Sequence, residues 1–331
     1  MISDADSHSV SVVIPSVSRP SVEAAVVSAL TQDFPPLEVI VVIDREHAAE
    51  EPSLPADARI RVLKTGGGAG PSAARMIGVQ TARGTLVAFL DDDDVWAQNK
   101  LSRQVAEYAR VSAGGLEPVV SCRAHVVMPG PPERVVVAPK VVYDAGESDV
   151  ADYLFVRRTV RRSGFTLGSS TLLCSRVLLE AIPWDSRLRL HEDWDWVLRA
   201  CRQPGVILVM LREPLARYVQ HPATRTTASR PDGGWDLSAA WARQAALSPR
   251  ALGDFLLTVA APQALQQRRR DAALNLAACA VREGRPGIAA WVTFLLQFLP
   301  SGMMKVLDRS LATVSRATDA LSQSINRSLR G

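Results

Sequence analysis

The sequence contains little lysine, little cysteine and few aromatic residues. Its 331 residues include only four lysines, so nearly all of the positive charge is carried by arginine. Arginine suits paired hydrogen bonds to phosphate and carboxylate groups, although a coding bias is the simpler explanation and the one we prefer. The formal net charge of +4 is too small to identify a partner by itself. With 47% hydrophobic and 22% charged residues, the composition excludes bulk disorder.

Segments that would carry the chain into or across a membrane are also missing from the sequence. Residues 1–9 are polar and acidic and lack the apolar core of a signal peptide. The longest apolar stretch, residues 288–299, is interrupted by Gln297 and is too short to span a bilayer. The four cysteines form no C-x-x-C pair, which favours free thiols in a reducing compartment. We therefore expect a cytoplasmic protein, or one bound peripherally to the inner face of the plasma membrane.

Strand-like and helix-like segments alternate through the first part of the chain. Apolar runs predict strands at 10–14, 37–43, 59–63 and 85–90, and helical spacing predicts helices at 21–31 and 72–81. Further strands are predicted at 119–127, 135–142, 169–174 and 206–211, with a helix beginning near His191. From Trp235 onward the sequence is rich in alanine and leucine at helical spacing. The pattern predicts an α/β domain at residues 1–230, with a mixed, mostly parallel sheet flanked by helices, and a C-terminal helical region at 231–331.

Polar residues follow each of the first four predicted strands, at 15–19, at Asp44, at 66–72 and at 91–94. In parallel sheets, ligands bind beyond the carboxyl ends of the strands. We therefore expect these four segments to meet in one site.

Four consecutive aspartates, Asp91 to Asp94, come directly after a buried strand. Adjacent carboxylates repel one another, and clustered carboxylate oxygens suit a hard cation such as Mg²⁺ or Mn²⁺. The alternative is a solvated acidic turn that caps a helix starting near Trp96.

A glycine-rich turn occupies residues 66–72 and lacks the lysine of a phosphate-binding P-loop. The pattern Gly68-x-Gly70-x-x-Ala73, with Asp91 about 20 residues later, fits the dinucleotide fingerprint of a nicotinamide-dependent oxidoreductase. That fingerprint usually opens the first strand–helix unit, however, and this turn follows the third strand. Two alternatives are a flexible turn into a helix, and a turn that lets a nucleotide pass close to the backbone while Arg75 contacts it.

The segment His191 to Arg199 opens a predicted helix with Glu192, Asp193 and Asp195 in its first turn. Acidic residues there are favoured by the helix dipole, so a well-capped helix is one explanation. A free carboxylate there could also act as a general base, and we expect the helix N-terminus to lower the pKa of Asp193 and keep it ionised.

Together these motifs resemble glycosyltransferase family 2, the inverting sugar-nucleotide transferases with the GT-A fold. Residues 13–19 match V-I-P-x-Y-N-R in part, residues 89–96 match F-L-D-x-D-D-x-W in full, and residues 192–196 match E-D-x-D-[LW]. Weaker matches lie at 41–46 and 68–78. Val17-Ser18 replaces Tyr-Asn, Ile43 replaces an aspartate and Met76 an asparagine, all near the expected nucleotide pocket. The resemblance therefore does not identify the donor base or sugar.

The resemblance implies a role for each matching residue. Contacts to a nucleotide sugar are implied for Pro15, Ser16, Ser18, Arg19, Asp44, Gly70, Arg75, Asp91 and Asp92. A Mg²⁺ or Mn²⁺ ion is implied at Asp93, Asp91 and His221. Asp193 is the implied catalytic base, with Glu192 beside it holding substrate hydroxyls. Acceptor contacts are implied for Trp96, Gly168, Ser169 and Trp194, although both tryptophans suit core packing equally well.

The expected function is therefore inverting transfer of a sugar from a nucleoside-diphosphate sugar to a glycan or lipid-linked acceptor, with no nucleic-acid partner. The alternatives are the oxidoreductase and a non-catalytic sugar-nucleotide-binding protein. At the C-terminus, an apolar stripe from Leu307 to Leu329 lies among residues in which basic side chains outnumber acidic ones. Such a helix can lie on an anionic membrane, but packing against the preceding helices is the explanation we prefer.

Overall fold

The computed structural model describes residues 8–45, 52–128, 130, 132–146, 148–160, 167–219 and 234–299. The strands are β1 (Val10–Ser16), β2 (Glu38–Ile43), β3 (Ile60–Lys64), β4 (Leu86–Phe89), β5 (Val95–Trp96), β6 (Glu117–Met128), β7 (Arg134–Ala138), β8 (Leu173–Ser175) and β9 (Val206–Val219). The first six helices are α1 (Val22–Leu30), α2 (Pro71–Thr81), α3 (Lys100–Ser112), α4 (Val150–Phe155), α5 (Arg176–Ala181) and α6 (Glu192–Cys201). The C-terminal helices are α7 (Trp235–Gln244), α8 (Pro249–Phe255), α9 (Ala261–Gln266), α10 (Arg270–Glu283) and α11 (Ile288–Leu296), with a π-helical turn, Leu256–Ala260, joining α8 to α9.

All the described strands belong to one mixed sheet. Their order is β3-β2-β1-β4-β8-β6-β9-β5, with β7 paired to the free length of β6. The β3-β2-β1-β4 part is parallel, and so is the long ladder between β6 and β9, whereas β8, β7 and β5 pair antiparallel with their neighbours. The predicted class, α/β with a Rossmann-like, mostly parallel sheet, flanking helices and further helices at the C-terminus, is confirmed.

Strands β1, β2 and β4 are buried on both faces, as their apolar runs predict, whereas the edge strand β3 is partly exposed. Helices α1 and α3 cover one face, and α2, α5 and α6 cover the other. Helix α2 lies so close to β1 that a Cβ atom on Gly78 would overlap the Val13 side chain. This packing fixes the carboxyl ends of β1 to β4 along one edge of the sheet.

Three strand predictions differ from the structure. The predicted strand 135–142 ends at Ala138, before Pro139, because proline cannot donate to a ladder. The predicted strand 169–174 begins instead as a 3₁₀ turn at Ser169–Thr171, and only Leu173–Ser175 pairs in the sheet. The predicted strand 206–211 continues to Val219, because it pairs along almost the whole of β6, with a register shift near Arg123.

The C-terminal helices share their core with the α/β part. Ala239 and Trp241 of α7 and Phe255 of α8 lie in the same cluster as Trp196 of α6 and Phe89 of β4. None of the helices in the described ranges combines the length and the apolar character needed to cross a membrane. The predicted boundary at 230/231 and the stripe from Leu307 to Leu329 lie outside the described residues.

Candidate active site

The loops after β1, β2, β3 and β4 contact one another at the carboxyl edge of the sheet. The loop after β1 bonds to Asp92, which follows β4, and Asp44, which follows β2, bonds to the glycine-rich turn after β3. The predicted meeting of these segments is therefore observed. Pro15 differs from expectation, because it is a buried residue of β1 and pairs with Val42 rather than standing free in the loop.

Asp92 holds the loop that follows β1. Its carboxylate accepts hydrogen bonds from the Ser16 hydroxyl at 2.7 Å and the Val17 amide at 3.2 Å, and it pairs with the Arg19 guanidinium. The amide of Ser18, which has φ 60°, donates to the Ser16 hydroxyl oxygen at 2.9 Å. Because its side chain is only 2% exposed and fully engaged, Asp92 shapes this loop rather than presenting its own oxygens to a nucleotide.

Asp44 organises the glycine-rich turn in the same way. Its carboxylate accepts from the amides of Ala69 at 2.9 Å and Gly70 at 2.6 Å, and from the Thr65 hydroxyl. Burial raises the pKa of Asp44, but these hydrogen bonds outweigh it and lower the pKa overall. Arg189 lies over Gly70 and donates to the Ala69 carbonyl at 3.2 Å. The turn's amides therefore already hold a protein carboxylate, which disfavours their use for a dinucleotide pyrophosphate.

Arg75 connects the two acidic motifs. Its Nη2 atom donates to Asp91 Oδ1 at 2.7 Å and to the Ser169 hydroxyl oxygen at 2.8 Å, while Nη1 lies 3.8 Å from Glu192 Oε1. The guanidinium lies 4.9 Å from the Trp184 ring centroid, and its side chain is 5% exposed. Within the described residues, Nε and Nη1 have no hydrogen-bond partner. A buried cation with spare donors thus lies between the predicted donor-side and base-side carboxylates.

The carboxylates of Asp93 and Asp94 have fewer hydrogen-bond and ion-pair partners than those of Asp91 and Asp92. Asp93 Oδ2 lies 3.5 Å from Arg19 Nη1, and burial together with Asp91 raises the pKa of Asp93. Asp94 is 1% exposed, and both its carboxylate oxygens lack a hydrogen bond within the described part of the chain. Burial and Asp91 raise its pKa well above the ordinary value.

A hard cation beside either carboxylate would offset the burial and the nearby charge of Asp91 that raise its pKa. No three His, Cys, Asp or Glu side chains of the described ranges converge on a single point, so any such ion would also take ligands from outside this set. His221, the third predicted ligand, lies outside the described residues. Asp94 was not predicted as a site residue, and only its burial in the folded chain singles it out.

Asp193 is protonated more readily than the sequence suggested. Burial and the neighbouring Glu192 raise its pKa to about 7, although Arg75 opposes the change. The expected lowering by the helix N-terminus is therefore wrong, because desolvation and a like charge outweigh a dipole worth at most about 2 kcal/mol. A carboxyl with a pKa near neutrality is suited to exchange protons with a substrate.

Two of the implied acceptor residues instead complete the structure of the acidic loop. Gly168 and Ser169 are buried, and the Ser169 hydroxyl donates to the Asp91 carboxylate at 3.0 Å while accepting from Arg75. The next residue, Ser170, accepts from the Asp91 amide at 3.0 Å. This segment therefore orients Asp91 and has no free hydroxyl at Ser169 for an acceptor.

Trp96 belongs to the core. It is 6% exposed, and its indole nitrogen donates to the Ser170 carbonyl at 2.8 Å. The ammonium group of Lys100 lies 3.8 Å from its ring centroid. Core packing, one of the two explanations considered, is correct for Trp96.

Trp194 is only partly buried and lies one residue beyond Asp193. Its indole nitrogen donates to the Leu167 carbonyl at 3.2 Å, and its ring stacks on His191. An acceptor contact for Trp194 therefore stays a prediction.

Arg189 is an exposed residue near the site that the sequence analysis did not predict. Its position in the loop just before the acidic helix α6 is the feature of the sequence that could have indicated it.

Comparisons with known proteins show what the chain is similar to. Residues 11–116 match the model of the glycosyl transferase family 2. The amylovoran biosynthesis glycosyltransferase AmsB of Erwinia amylovora is 31% identical over 154 residues, which are 46% of this chain and 47% of AmsB. The succinoglycan biosynthesis protein ExoO of Rhizobium meliloti is 30% identical over 214 residues, 62% of this chain and 58% of ExoO.

A shorter match is to the UDP-Glc:alpha-D-GlcNAc-diphosphoundecaprenol beta-1,3-glucosyltransferase WfgD of Escherichia coli, 31% identical over 104 residues, 30% of this chain and 41% of WfgD. The chain thus spans about half the length of these relatives. Among solved structures, S. aureus TarS aligns with a TM-score of 0.47 and 17% identity over 83% of this chain and 55% of that one. Residues 11–116 of the chain are thus similar to glycosyl transferase family 2.

Proposed function

We propose that the protein is an inverting glycosyltransferase that moves a sugar from a nucleoside-diphosphate sugar to an acceptor hydroxyl. The observation that carries the proposal is the position of Arg75, which joins the carboxylate loop after β4 to the start of α6. Donor-side carboxylates and a carboxyl that titrates near neutrality therefore belong to one cluster. The family match at residues 11–116 supports the same activity.

On the donor side, the chain offers two preformed loops. Asp92 holds the loop with Ser16, Ser18 and Arg19, and Asp44 holds the glycine-rich turn with Gly70. In our proposal the exposed parts of these loops bind the base and ribose, and Arg19 contributes its positive charge toward the phosphates. The two aspartates act indirectly, because their oxygens are already bonded within the protein.

Asp93, together with Asp91 or Asp94, would hold a divalent cation such as Mg²⁺ or Mn²⁺. When bound, the cation offsets the negative charge that develops on the departing nucleoside diphosphate. Arg75 donates to the Asp91 carboxylate, and its Nε and Nη1 atoms have no hydrogen-bond partner within the described residues.

Asp193 is the proposed base, with Glu192 beside it to hold substrate hydroxyls. Its ionised carboxylate takes the proton of the acceptor hydroxyl as that oxygen forms a bond to the anomeric carbon. The bond between the anomeric carbon and the phosphate oxygen breaks, and the nucleoside diphosphate leaves with the electron pair. Because attack and departure occur on opposite faces, the anomeric configuration inverts.

The names of the relatives support a role in polysaccharide or glycolipid synthesis. AmsB and ExoO are named for biosynthesis of amylovoran and succinoglycan, and WfgD for transfer from UDP-Glc to a diphosphoundecaprenol-linked sugar. We propose the same broad class of acceptor, a glycan or a lipid-linked glycan, for this chain.

Contact with a membrane surface would suit a lipid-linked acceptor. Helix α11 exposes apolar side chains, with Ile288 84% and Leu295 59% exposed. Flotation with anionic liposomes would test the contact in the full chain and in a variant ending at residue 301. Equal binding by the two would exclude a role for residues 302–331.

The activity itself is tested with a panel of UDP-, GDP- and dTDP-sugars and Mn²⁺. A donor should first raise the thermal midpoint, because a ligand of the native state stabilises it. That donor is then used to measure sugar transfer by the wild type, Asp93→Ala and Asp193→Ala. Asp185→Asn is the matched control, since this carboxylate lies in the loop before α6 and bonds to Arg187. Near-normal transfer by both alanine variants would refute the mechanism.

The same panel separates the second candidate function, a non-catalytic sugar-nucleotide-binding protein. This chain departs from the family pattern near the expected nucleotide pocket, at Val17-Ser18, Ile43 and Met76. These departures favour a protein that binds a sugar nucleotide without catalysing transfer. Its signature would be a raised thermal midpoint with a donor, without either transfer or hydrolysis of that donor.

A further inference from the structure

Helix α6, which presents Glu192 and Asp193, begins at a backbone conformation that needs support. His191 is its N-cap and has φ 63° and ψ 19°, in the left-handed region. Residues with a Cβ atom rarely adopt this conformation, although asparagine, aspartate and histidine do so more often than the others. The direction in which α6 leaves the preceding loop therefore depends on what holds His191.

The C-terminal helices hold the His191 ring through a buried hydrogen-bond chain. His191 Nε2 lies 2.8 Å from Oγ of Ser238 in α7, and Ser238 Oγ donates to Oε1 of Gln263 in α9 at 2.8 Å. Ser238 is fully buried. Because its single hydroxyl hydrogen goes to Gln263, Ser238 accepts from His191, which fixes the tautomer with the proton on Nε2.

Aromatic side chains also pack against the faces and the edge of the His191 ring. The imidazole stacks on Trp194 with centroids 4.8 Å apart and 4° between the planes. Trp241 of α7 and Phe255 of α8 lie 5.0 and 5.5 Å away. Burial lowers the pKa of His191 to about 4, so the ring is neutral in the physiological range and serves as a fixed hydrogen-bond donor.

A second contact from α7 reaches the first turn of α6. The indole nitrogen of Trp241 donates to Asp195 Oδ1 at 3.1 Å, while Arg199 donates to Asp195 Oδ2 at 2.7 Å. Asp193 therefore lies between two residues, His191 and Asp195, that are both bonded to α7.

We propose that His191 and Ser238 are positioning residues for Asp193, so that the C-terminal helices form part of the catalytic unit rather than an appendage. This inference rests on the proposed function. His191 and Ser238 touch no reacting atom in it, and they act by fixing where the first turn of α6 begins.

The test compares two serine substitutions in the full-length protein. Ser238→Ala removes the hydroxyl that holds His191. Ser248→Ala is the matched control, because its hydroxyl joins α8 to Asp152 of α4 at 2.6 Å and caps α8. Both remove one hydroxyl between the C-terminal helices and the α/β part, and only the first acts on α6.

We expect Ser238→Ala to lower kcat about tenfold or more, because small displacements of a catalytic group cost large factors in rate. The donor KM should stay within about twofold of wild type, since the donor-side loops do not contact Ser238. Ser248→Ala should lower the thermal midpoint and leave kcat unchanged. Wild-type kcat in a folded Ser238→Ala variant would overturn the inference.

His191→Asn provides a second variant if Ser238→Ala does not fold. Asparagine tolerates the left-handed backbone but is too short to reach Ser238, so kcat should fall while the fold is kept. Asp193→Asn distinguishes failure of the proposed function from failure of the positioning role of His191 and Ser238. If it retains turnover, the proposed function fails. If it is inactive while both positioning variants turn over like the wild type, only the positioning role is refuted.

Discussion

The two acidic motifs contain the same kinds of residue and acquire different chemistry from their surroundings. In the loop after β4, Asp91 pairs with Arg75, and Asp92 and Asp93 both pair with Arg19, so three of the four carboxylates have a guanidinium partner. At the start of α6, Asp193 is partly buried beside Glu192, and its pKa rises to about 7. In the proposed function, the first motif holds positive charge and the second exchanges a proton.

The largest effect should follow from changing Asp193. Asp193→Asn removes the proposed base while keeping the shape of the side chain, so kcat should fall by about 10²–10⁴-fold. Donor affinity, measured as the shift in thermal midpoint with donor, should stay close to wild type. Retained turnover would mean that the second motif has no proton-transfer role, and the contrast between the motifs would fail.

The link between the motifs is broken by Arg75→Met, which keeps the length of the side chain and removes its charge. Asp91 and Glu192 would lose a buried cation, and removing one partner of a buried pair typically costs about 3–5 kcal/mol. Urea unfolding measures this loss. Arg176→Met is the control, because Arg176 pairs with Glu180 on the surface of α5 and should contribute no more than about 1 kcal/mol. Equal losses of unfolding free energy in the two variants would contradict the claim that Arg75 links the two acidic motifs.

The pH dependence of turnover tests the protonation state of the second motif. Asp193 must be ionised to accept a proton, so kcat should fall about tenfold per pH unit below a midpoint near pH 7. The folded-state pKa is raised from 3.8, so the native state gives up this proton less readily than the unfolded chain. Stability from this group should therefore be lost as the pH rises between about 4 and 7. Asp193→Asn should raise the thermal midpoint at pH 8 and change it little at pH 4, and a midpoint of turnover near pH 4 would contradict the account.

A smaller effect is expected from Asp92 in the first motif. Asp92→Asn weakens the bonds to Ser16 and Arg19, so the loop after β1 should be held less firmly. Because this loop is proposed to bind the donor, the donor KM should rise about tenfold while kcat stays within about twofold. Asp57→Asn, at a partly exposed pair with Arg59, is the control and should change neither constant. A fall in kcat without a change in KM would place Asp92 in the chemical step.

The smallest effect on activity is expected at Trp96, which ends the first motif. Trp96→Phe removes the bond to the Ser170 carbonyl and should destabilise the protein by about 1–3 kcal/mol. The acceptor KM should stay unchanged because the ring is buried in the core. A large rise in the acceptor KM would instead support the acceptor contact that the resemblance implies for Trp96.

The sheet and the location of the site could be predicted from the sequence because their signals are local. β1, β2 and β4 are continuous apolar runs, and polar residues follow each of them directly. The end of β9 could not be predicted, since residues 212–219 form a strand by pairing with β6 and with the short strand β5, both distant in sequence.

The environment of each site residue also depended on tertiary contacts. The pairing of Asp92 with Arg19 joins residues 73 positions apart, and the pKa of Asp193 depends on burial that sequence spacing does not report. The domain boundary at 230/231 stays a prediction. The shared core of α6, α7 and α8 nevertheless shows that the C-terminal helices are packed on the α/β part.

The stereochemistry of transfer tests the whole arrangement most directly. Proton NMR of the product formed from the donor identified by the panel reports the configuration of the transferred sugar at its anomeric carbon. In the proposed arrangement the leaving diphosphate lies at the loop after β4 and the base at the start of α6, so the product should have the opposite anomeric configuration to the donor. A product with the donor's own configuration would contradict the single displacement assigned to Asp193.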